Sequence, residues 1–100
     1  MTKYHLTPQA SDDLFEVWKF IAQNSLEAAN RVEEAVYLAC NFLVASPLAG
    51  GVRVDLTPLP VRFWLVQPYG NLFIVYDPEK KPLQIIRILH ASRDLPSILR

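Results

Sequence analysis

The chain has 100 residues, a length typical of a single domain, and 51% of its residues are hydrophobic. Its formal net charge is zero, which excludes the strongly cationic surface of proteins that bind nucleic acid through many phosphate contacts. The two halves nevertheless differ: residues 1–50 carry three basic and six acidic side chains, whereas residues 51–100 carry seven and four. Because a chain this short buries only about two-thirds of its unfolded surface, we expect a partner to cover some of its apolar surface.

The N-terminal third predicts a short strand followed by a helix. Residues 3–6 alternate as a strand, and Thr7 followed by Pro8 is typical of a helix N-cap with proline in the first turn. Apolar side chains then recur every three or four residues from Ala10 to Ala22, which predicts one buried helical stripe.

A second helix is predicted immediately after the first. Ser25 is a suitable N-cap, apolar residues mark one face from Ala28 to Leu43, and Pro47 ends the pattern. Two amphipathic helices with a short turn predict a helical hairpin. Cys40, the single cysteine, lies at helical spacing among these apolar residues, so we expect a core thiol and no intramolecular disulfide.

The chain carries little that indicates a metal, a cofactor or a membrane. Asp12 and Asp13 are adjacent carboxylates, but no histidine or third carboxylate follows at ligand spacing. No apolar run reaches the ~18 residues of a membrane span, and the N-terminus lacks the apolar core of a signal peptide. We therefore expect a cytoplasmic protein without metal or cofactor.

The second half predicts a connector and an antiparallel meander. Residues 47–60 are rich in proline and glycine and have no helical period, which favours a functional or mobile loop. Three strands with short links follow, at residues 61–66, 72–76 and 83–89. The resulting fold class is α+β, with the helical hairpin on a mainly antiparallel sheet of three or four strands, in a single domain spanning residues 1–100.

One face of this sheet lacks an obvious cover. The hairpin covers one side, and the register decides whether Trp64 and Val66, or Phe63 and Leu65, lie on the other. Only the C-terminal segment, residues 92–100, remains to cover that side. We expect a bare apolar flank that a second polypeptide covers.

Residues 83–89 are apolar at nearly every position, which predicts a central strand. Arg87 interrupts this strand, and His90, Arg93 and Asp94 follow at its end. A polar cluster at the tip of a central strand is a candidate working surface, although Arg93 and Asp94 are equally compatible with a simple surface ion pair. Arg87 and His90 are three positions apart, so they project to opposite faces of a regular strand. We expect Arg87 to pair with an acidic group of the first helix or with a partner protein.

In this order of elements, the chain resembles the RelE/ParE family of bacterial toxins from type II toxin–antitoxin systems. The resemblance spans nearly the whole length, and its most specific signal is the segment Ile86-Arg87-Ile88-Leu89-His90 with Arg93-Asp94-Leu95. The other segments that carry it are Leu6-Thr7-Pro8-Gln9-Ala10 with Asp13-Leu14, Trp18-Lys19-Phe20-Ile21-Ala22, Ser46-Pro47 with Gly50 and Arg53, and Phe73-Ile74-Val75-Tyr76. The resemblance implies a toxin that a small antitoxin, encoded beside it, holds silent.

The family contains two activities, and the residues favour one of them. One branch cleaves messenger RNA on the ribosome, which requires cations at the phosphate and a proton-transfer group; the other branch, ParE, inhibits DNA gyrase without cleavage. Arg62 and Arg93 match basic positions of the RNA-cleaving members, and His90 is a possible proton-transfer group. However, Phe73 and Trp64 stand where those members carry basic residues. The resemblance therefore favours the ParE branch and a non-enzymatic toxin.

The expected partners are a cognate antitoxin and, as target, DNA gyrase. The residues expected to face the target are Arg53, Arg62, His90 and Arg93. The residues expected to contact the antitoxin, through an amphipathic helix or an added strand, are Phe15, Trp18, Phe42, Trp64 and Arg87. Two alternatives stay open: a ribosome-dependent mRNA endoribonuclease with His90 and Arg93 as catalytic residues, and an inactive toxin relative that serves as an interaction module.

Overall fold

A four-stranded sheet forms the centre of the protein, with a helical hairpin on one face and a short helix on the other. The computed structural model describes residues 3–99, and the predicted order of elements is confirmed. The elements are β1 (Tyr4–Leu6), α1 (Pro8–Ala22), α2 (Leu26–Ala45), β2 (Arg62–Leu65), β3 (Leu72–Asp77), β4 (Leu83–His90) and α3 (Leu95–Ile98).

The strand order is β1-β4-β3-β2, so β4 is a central strand as the apolar pattern of residues 83–89 predicts. β2 and β4 each pair antiparallel with β3, whereas β1 pairs parallel with β4. Both faces of β4 are buried: Ile88 packs into the hairpin core, and Leu89 packs into a second cluster on the outer face. The mainly antiparallel α+β fold is therefore confirmed.

Hydroxyl side chains cap both long helices. Thr7 Oγ1 accepts a hydrogen bond from the Ala10 amide at 3.1 Å, and Ser25 Oγ accepts one from the Ala28 amide at 3.1 Å. Each bond satisfies an amide of the first helical turn, which has no partner within the helix. The Thr7 hydroxyl also donates to the Ile86 carbonyl at 2.7 Å, which ties the start of α1 to β4.

The outer face of the sheet is not the bare flank that the sequence predicts. The register places Phe63 on this face, where it is buried with Val75 and with Leu95 and Leu99 of the C-terminal segment. Trp64 lies on the hairpin side instead. The C-terminal segment and Leu56 of the connector pack over this face, and the exposed large apolar side chains lie on α1, α2 and the connector.

The connector between α2 and β2 is fixed to the sheet at several points. Tyr76 Oη accepts a hydrogen bond from the Gly50 amide at 2.9 Å and donates to the Pro47 carbonyl at 2.7 Å. Gly51 pairs with Phe63 through two backbone hydrogen bonds of 2.9 Å. The first part of this connector, expected to be functional or mobile, is therefore anchored, because a buried tyrosine hydroxyl and the free edge of β2 both find partners in it.

Candidate partner-binding surface

The tip of β4 carries His90, whose imidazole has contacts on both nitrogens. Nδ1 lies 2.7 Å from Ser92 Oγ, and Nε2 lies 2.9 Å from Asn71 Nδ2. The ring is exposed, yet these two neighbours fix its orientation. Among residues 3–99, no carboxylate of the kind that orients a catalytic histidine is bound to this exposed ring.

Arg93 lies three residues beyond His90, and both side chains line the same surface groove. Arg93 is exposed, and its guanidinium has no hydrogen-bond or ion-pair partner among residues 3–99. The neighbouring Asp94 instead accepts a hydrogen bond from Ser97 Oγ at 2.7 Å. The surface ion pair between Arg93 and Asp94 is therefore not formed.

Arg62 lies apart from this tip. Arg62 is opposite Tyr76 in the sheet, whereas His90 is opposite Leu72, and four residues along β3 correspond to about 13 Å. Arg62 donates to the Gly50 carbonyl at 2.7 Å. Arg53 is exposed and forms a two-bond pair with Asp55 at 2.8 and 2.9 Å. Of the four predicted target-facing residues, His90 and Arg93 share a groove, whereas Arg62 is bound to the connector and Arg53 to Asp55.

Arg87 makes the strongest ion pair of the described residues. Its Nε and Nη2 donate to the two carboxylate oxygens of Asp13 at 2.7 and 2.9 Å, and the Ile88 amide donates to the same carboxylate at 3.0 Å. The hydrogen bonds with Asp13 raise the pKa of Arg87 above its ordinary value, against the opposing effect of burial. Asp13 caps the edge of β4 beyond the end of β1, so Arg87 is engaged inside the chain.

Phe15 and Trp18 lie together on the exposed side of the hairpin. Their rings are nearly parallel, with centroids 6.4 Å apart, and Trp18 Nε1 donates to Asn30 Oδ1 at 2.9 Å. Phe15 remains 55% exposed. With Tyr37 they border a depression of about 370 Å³ between α1 and α2, which we call the hairpin groove.

Phe42 and Trp64 form a second aromatic pair, between α2 and the sheet, with ring centroids 5.0 Å apart. They line a groove of about 460 Å³, called here the α2–β2 groove, which also contains Leu38 and Tyr69. Trp64 of β2 thus packs against Phe42 of α2. Sequence reasoning missed Leu38, although an exposed leucine one helical turn before Phe42 continues the same apolar face.

A third groove runs between α1 and the tip of β4, with a volume of about 580 Å³. We call it the α1–β4 groove. Val17, Phe20, Tyr69 and Leu72 supply apolar walls, Glu16 stands on the α1 side, and the polar rim at the tip of β4 consists of His90, Ser92 and Arg93. Phe20 lies off the buried stripe of α1 and is 70% exposed at this groove.

The charged groups are spread rather than gathered at one centre. Within residues 3–99 there is no group of three or more histidine, cysteine, aspartate or glutamate side chains arranged to hold a metal ion. None of the helices described in this range is long and apolar enough to cross a membrane. The three grooves are lined largely by apolar side chains, which suits them to bind apolar side chains of another molecule.

Comparison with known proteins agrees with this architecture. A solved structure described as a chromosomal ParDE TA system from P. aeruginosa is similar to the chain with a TM-score of 0.73 at 19% sequence identity, covering 92% of this chain and 98% of that one. At this identity the similarity shows a shared α+β fold. No curated protein sequence matches the chain.

The family itself is shown by a family model. The model described as the ParE toxin of the type II toxin–antitoxin system, parDE, matches residues 4–95. The chain therefore belongs to the ParE toxin family.

Proposed function

We propose that this protein is the toxin of a two-protein pair, that a cognate antitoxin neutralises it, and that the free toxin arrests growth by binding DNA gyrase. Membership of the ParE family supports the pairing with an antitoxin. The observation that carries the proposal is the apolar surface of the helices, where Phe20, Leu38 and Phe42 are 70%, 63% and 46% exposed. Large exposed apolar patches of this kind mark protein-binding surfaces.

The antitoxin is proposed to cover the hairpin groove and the α2–β2 groove. Phe15 and Trp18 are the anchors in the first, and Phe42 and Trp64 are the anchors in the second, since buried aromatic side chains dominate binding energy at interfaces. Asp13 already binds Nε and Nη2 of Arg87. Only the remaining exposed part of the Arg87 side chain is therefore available to the antitoxin.

The distribution of cations supports target binding over RNA cleavage. Arg53, Arg62 and Arg87 are each bound by acceptors of the chain itself. Of the residues considered for phosphate binding, His90 and Arg93 at the tip of β4 therefore remain available. A pentacovalent phosphate requires several converging donors, and two side chains supply little of that charge. His90 and Arg93 do share one groove, so the endoribonuclease is kept as the competing outcome of the test.

The test uses the purified toxin with and without the polypeptide encoded by the adjacent reading frame. Inhibition of DNA supercoiling by gyrase, relieved by that polypeptide, with intact messenger RNA in a cell-free translation reaction, is the expected result. Cleaved messenger RNA that depends on His90 would replace this proposal with the endoribonuclease. Normal growth after induction of the toxin alone, with both assays negative, would identify an inactive relative that serves as an interaction module.

A further inference from the structure

The α1–β4 groove combines an apolar interior with one unpaired cation. Phe20 is 70% exposed at its margin, and Val17 and Leu72 lie deeper in the same groove. Arg93 lies on the opposite rim, beside His90. An occupant must therefore bring apolar surface for the interior and a group that a guanidinium binds well.

Arg93 differs from the other arginines of residues 3–99 in having no acceptor. Each of the others is bound within the chain: Arg31 by Glu27, Arg53 by Asp55, Arg62 by the Gly50 carbonyl and Arg87 by Asp13. A guanidinium presents a planar fork of donors that matches a carboxylate in two parallel hydrogen bonds. Charge complementarity at this rim thus calls for a carboxylate from another molecule.

The remaining features of the groove favour a polypeptide over a nucleic acid. The walls are largely apolar, and Glu16 on the α1 side is paired with Lys19 at 3.8 Å, so this side adds no net positive charge. Binding of a nucleic acid strand draws on several cations along its backbone, usually with bases stacked on aromatic rings. One guanidinium beside a carboxylate does not provide such a track.

We infer that the α1–β4 groove binds an amphipathic segment of the antitoxin, with an apolar side chain against Phe20 and Val17 and a carboxylate on Arg93. This inference rests on the proposed function, because it assigns the segment to the neutralising partner. The carboxylate is either that of an aspartate or glutamate side chain or the C-terminal carboxylate of the partner. By covering Arg93 and His90, the segment also blocks the proposed target-facing residues at the tip of β4.

The experiment measures binding of the full-length polypeptide encoded by the adjacent reading frame to toxin variants by isothermal titration calorimetry. Phe20→Ser and Arg93→Gln test the groove. Leu48→Ser is the control for Phe20, since Leu48 is 68% exposed on the connector. Lys80→Gln is the control for Arg93, since Lys80 is an exposed cation in the turn between β3 and β4. We expect each groove variant to weaken binding about tenfold or more, as is usual for anchor residues, and each control to bind like the wild type. Urea unfolding checks that all four variants are folded. We expect this because the four substituted side chains are exposed.

Two further arms identify the occupant. Acidic residues of the partner are replaced one at a time by their amides, and its C-terminus is amidated. Loss of the carboxylate that binds Arg93 weakens binding to the wild type but not to Arg93→Gln. A fluorescein-labelled single-stranded RNA of 20 nucleotides that binds the wild type and loses affinity only with Arg93→Gln would assign the groove to nucleic acid and overturn the inference. Equal binding of the partner by the wild type and both groove variants overturns the inference alone, whereas failure of the wild type to bind the partner overturns the proposed pairing as well.

Discussion

Removal of the Asp13 carboxylate is expected to destabilise the protein more than any other loss of a single surface-facing charge. Asp13 accepts hydrogen bonds from the Arg87 guanidinium and from the Ile88 amide. The side chains of Arg87 and Asp13 are only 23% and 12% exposed. Asp13→Ala leaves a largely buried cation and a backbone amide at the edge of β4 without a partner.

The size of the effect follows from this geometry. Breaking a buried ion pair costs about 3–5 kcal/mol, and partial exposure of Arg87 reduces this to about 3 kcal/mol for Asp13→Ala. Asp13→Asn keeps one acceptor for the Ile88 amide, so we expect about half that loss. In the double variant Asp13→Ala with Arg87→Met, no unpaired charge remains, and the coupling free energy of the pair is expected to be about 2 kcal/mol.

The assay is urea unfolding followed by circular dichroism, with the free energy extrapolated to water. Asp55→Ala is the matched control, because Asp55 binds Arg53 with the same two-bond geometry on the open surface, and we expect its unfolding midpoint to stay near that of the wild type. An Asp13→Ala variant within about 0.5 kcal/mol of the wild type, a value typical of neutral surface changes, would refute the argument. Equal losses for Asp13→Ala and Asp55→Ala would do the same.

Two further stability predictions concern the connector and the core. A Cβ at Gly50 would lie 2.6 Å from Tyr76 Oη and 2.8 Å from the Phe63 carbonyl oxygen, so Gly50→Ala should lower the free energy of unfolding by about 2 kcal/mol through overpacking. A Cβ at Gly51 would have no atom within 4 Å, so Gly51→Ala should leave the urea midpoint unchanged. A larger loss for Gly51→Ala than for Gly50→Ala would contradict the anchoring of the connector. Burial raises the pKa of the Cys40 thiol from 9.0 to about 12, so the unfolded chain loses its thiol proton first as pH rises. The thiol's contribution to stability is complete below pH 9 and declines between pH 9 and about 12, by at most about 1.4 kcal/mol per pH unit. Cys40→Ala should lack this decline in the free energy of unfolding. A parallel loss of stability by the wild type and Cys40→Ala between pH 9 and about 12 would refute this prediction.

The succession of elements could be predicted because each has a local cause. The hydroxyl of Thr7 followed by proline starts α1, and the apolar run of residues 83–89 forms the central strand. Which face of β2 points outward could not be predicted, because Phe63 and Trp64 are equally apolar and only the pairing register separates them. The role of α3 was also out of reach, since four residues of helix carry almost no periodic signal.

The candidate site was harder to predict than the fold, because its contacts join distant parts of the chain. Arg87 and Asp13 are 74 residues apart in sequence, so the sequence suggested an acidic partner on α1 without identifying it. Arg62 was expected to face a target, yet the connector brings the Gly50 carbonyl to it. Exposure likewise depends on tertiary packing: Phe20 and Phe63 are the same residue type, but one lies on the surface and the other in the outer core.

The location of the exposed apolar groups constrains the proposed neutralisation by an antitoxin. A partner gains little at the outer face of the sheet, because α3 and the connector already bury Phe63 there. The edge of β4 beyond β1 is closed to strand addition as well, since Thr7 and Asp13 bind the free backbone groups of Ile86 and Ile88. We therefore propose helix-in-groove recognition along the hairpin, reaching the guanidinium of Arg93, as the mode of antitoxin binding.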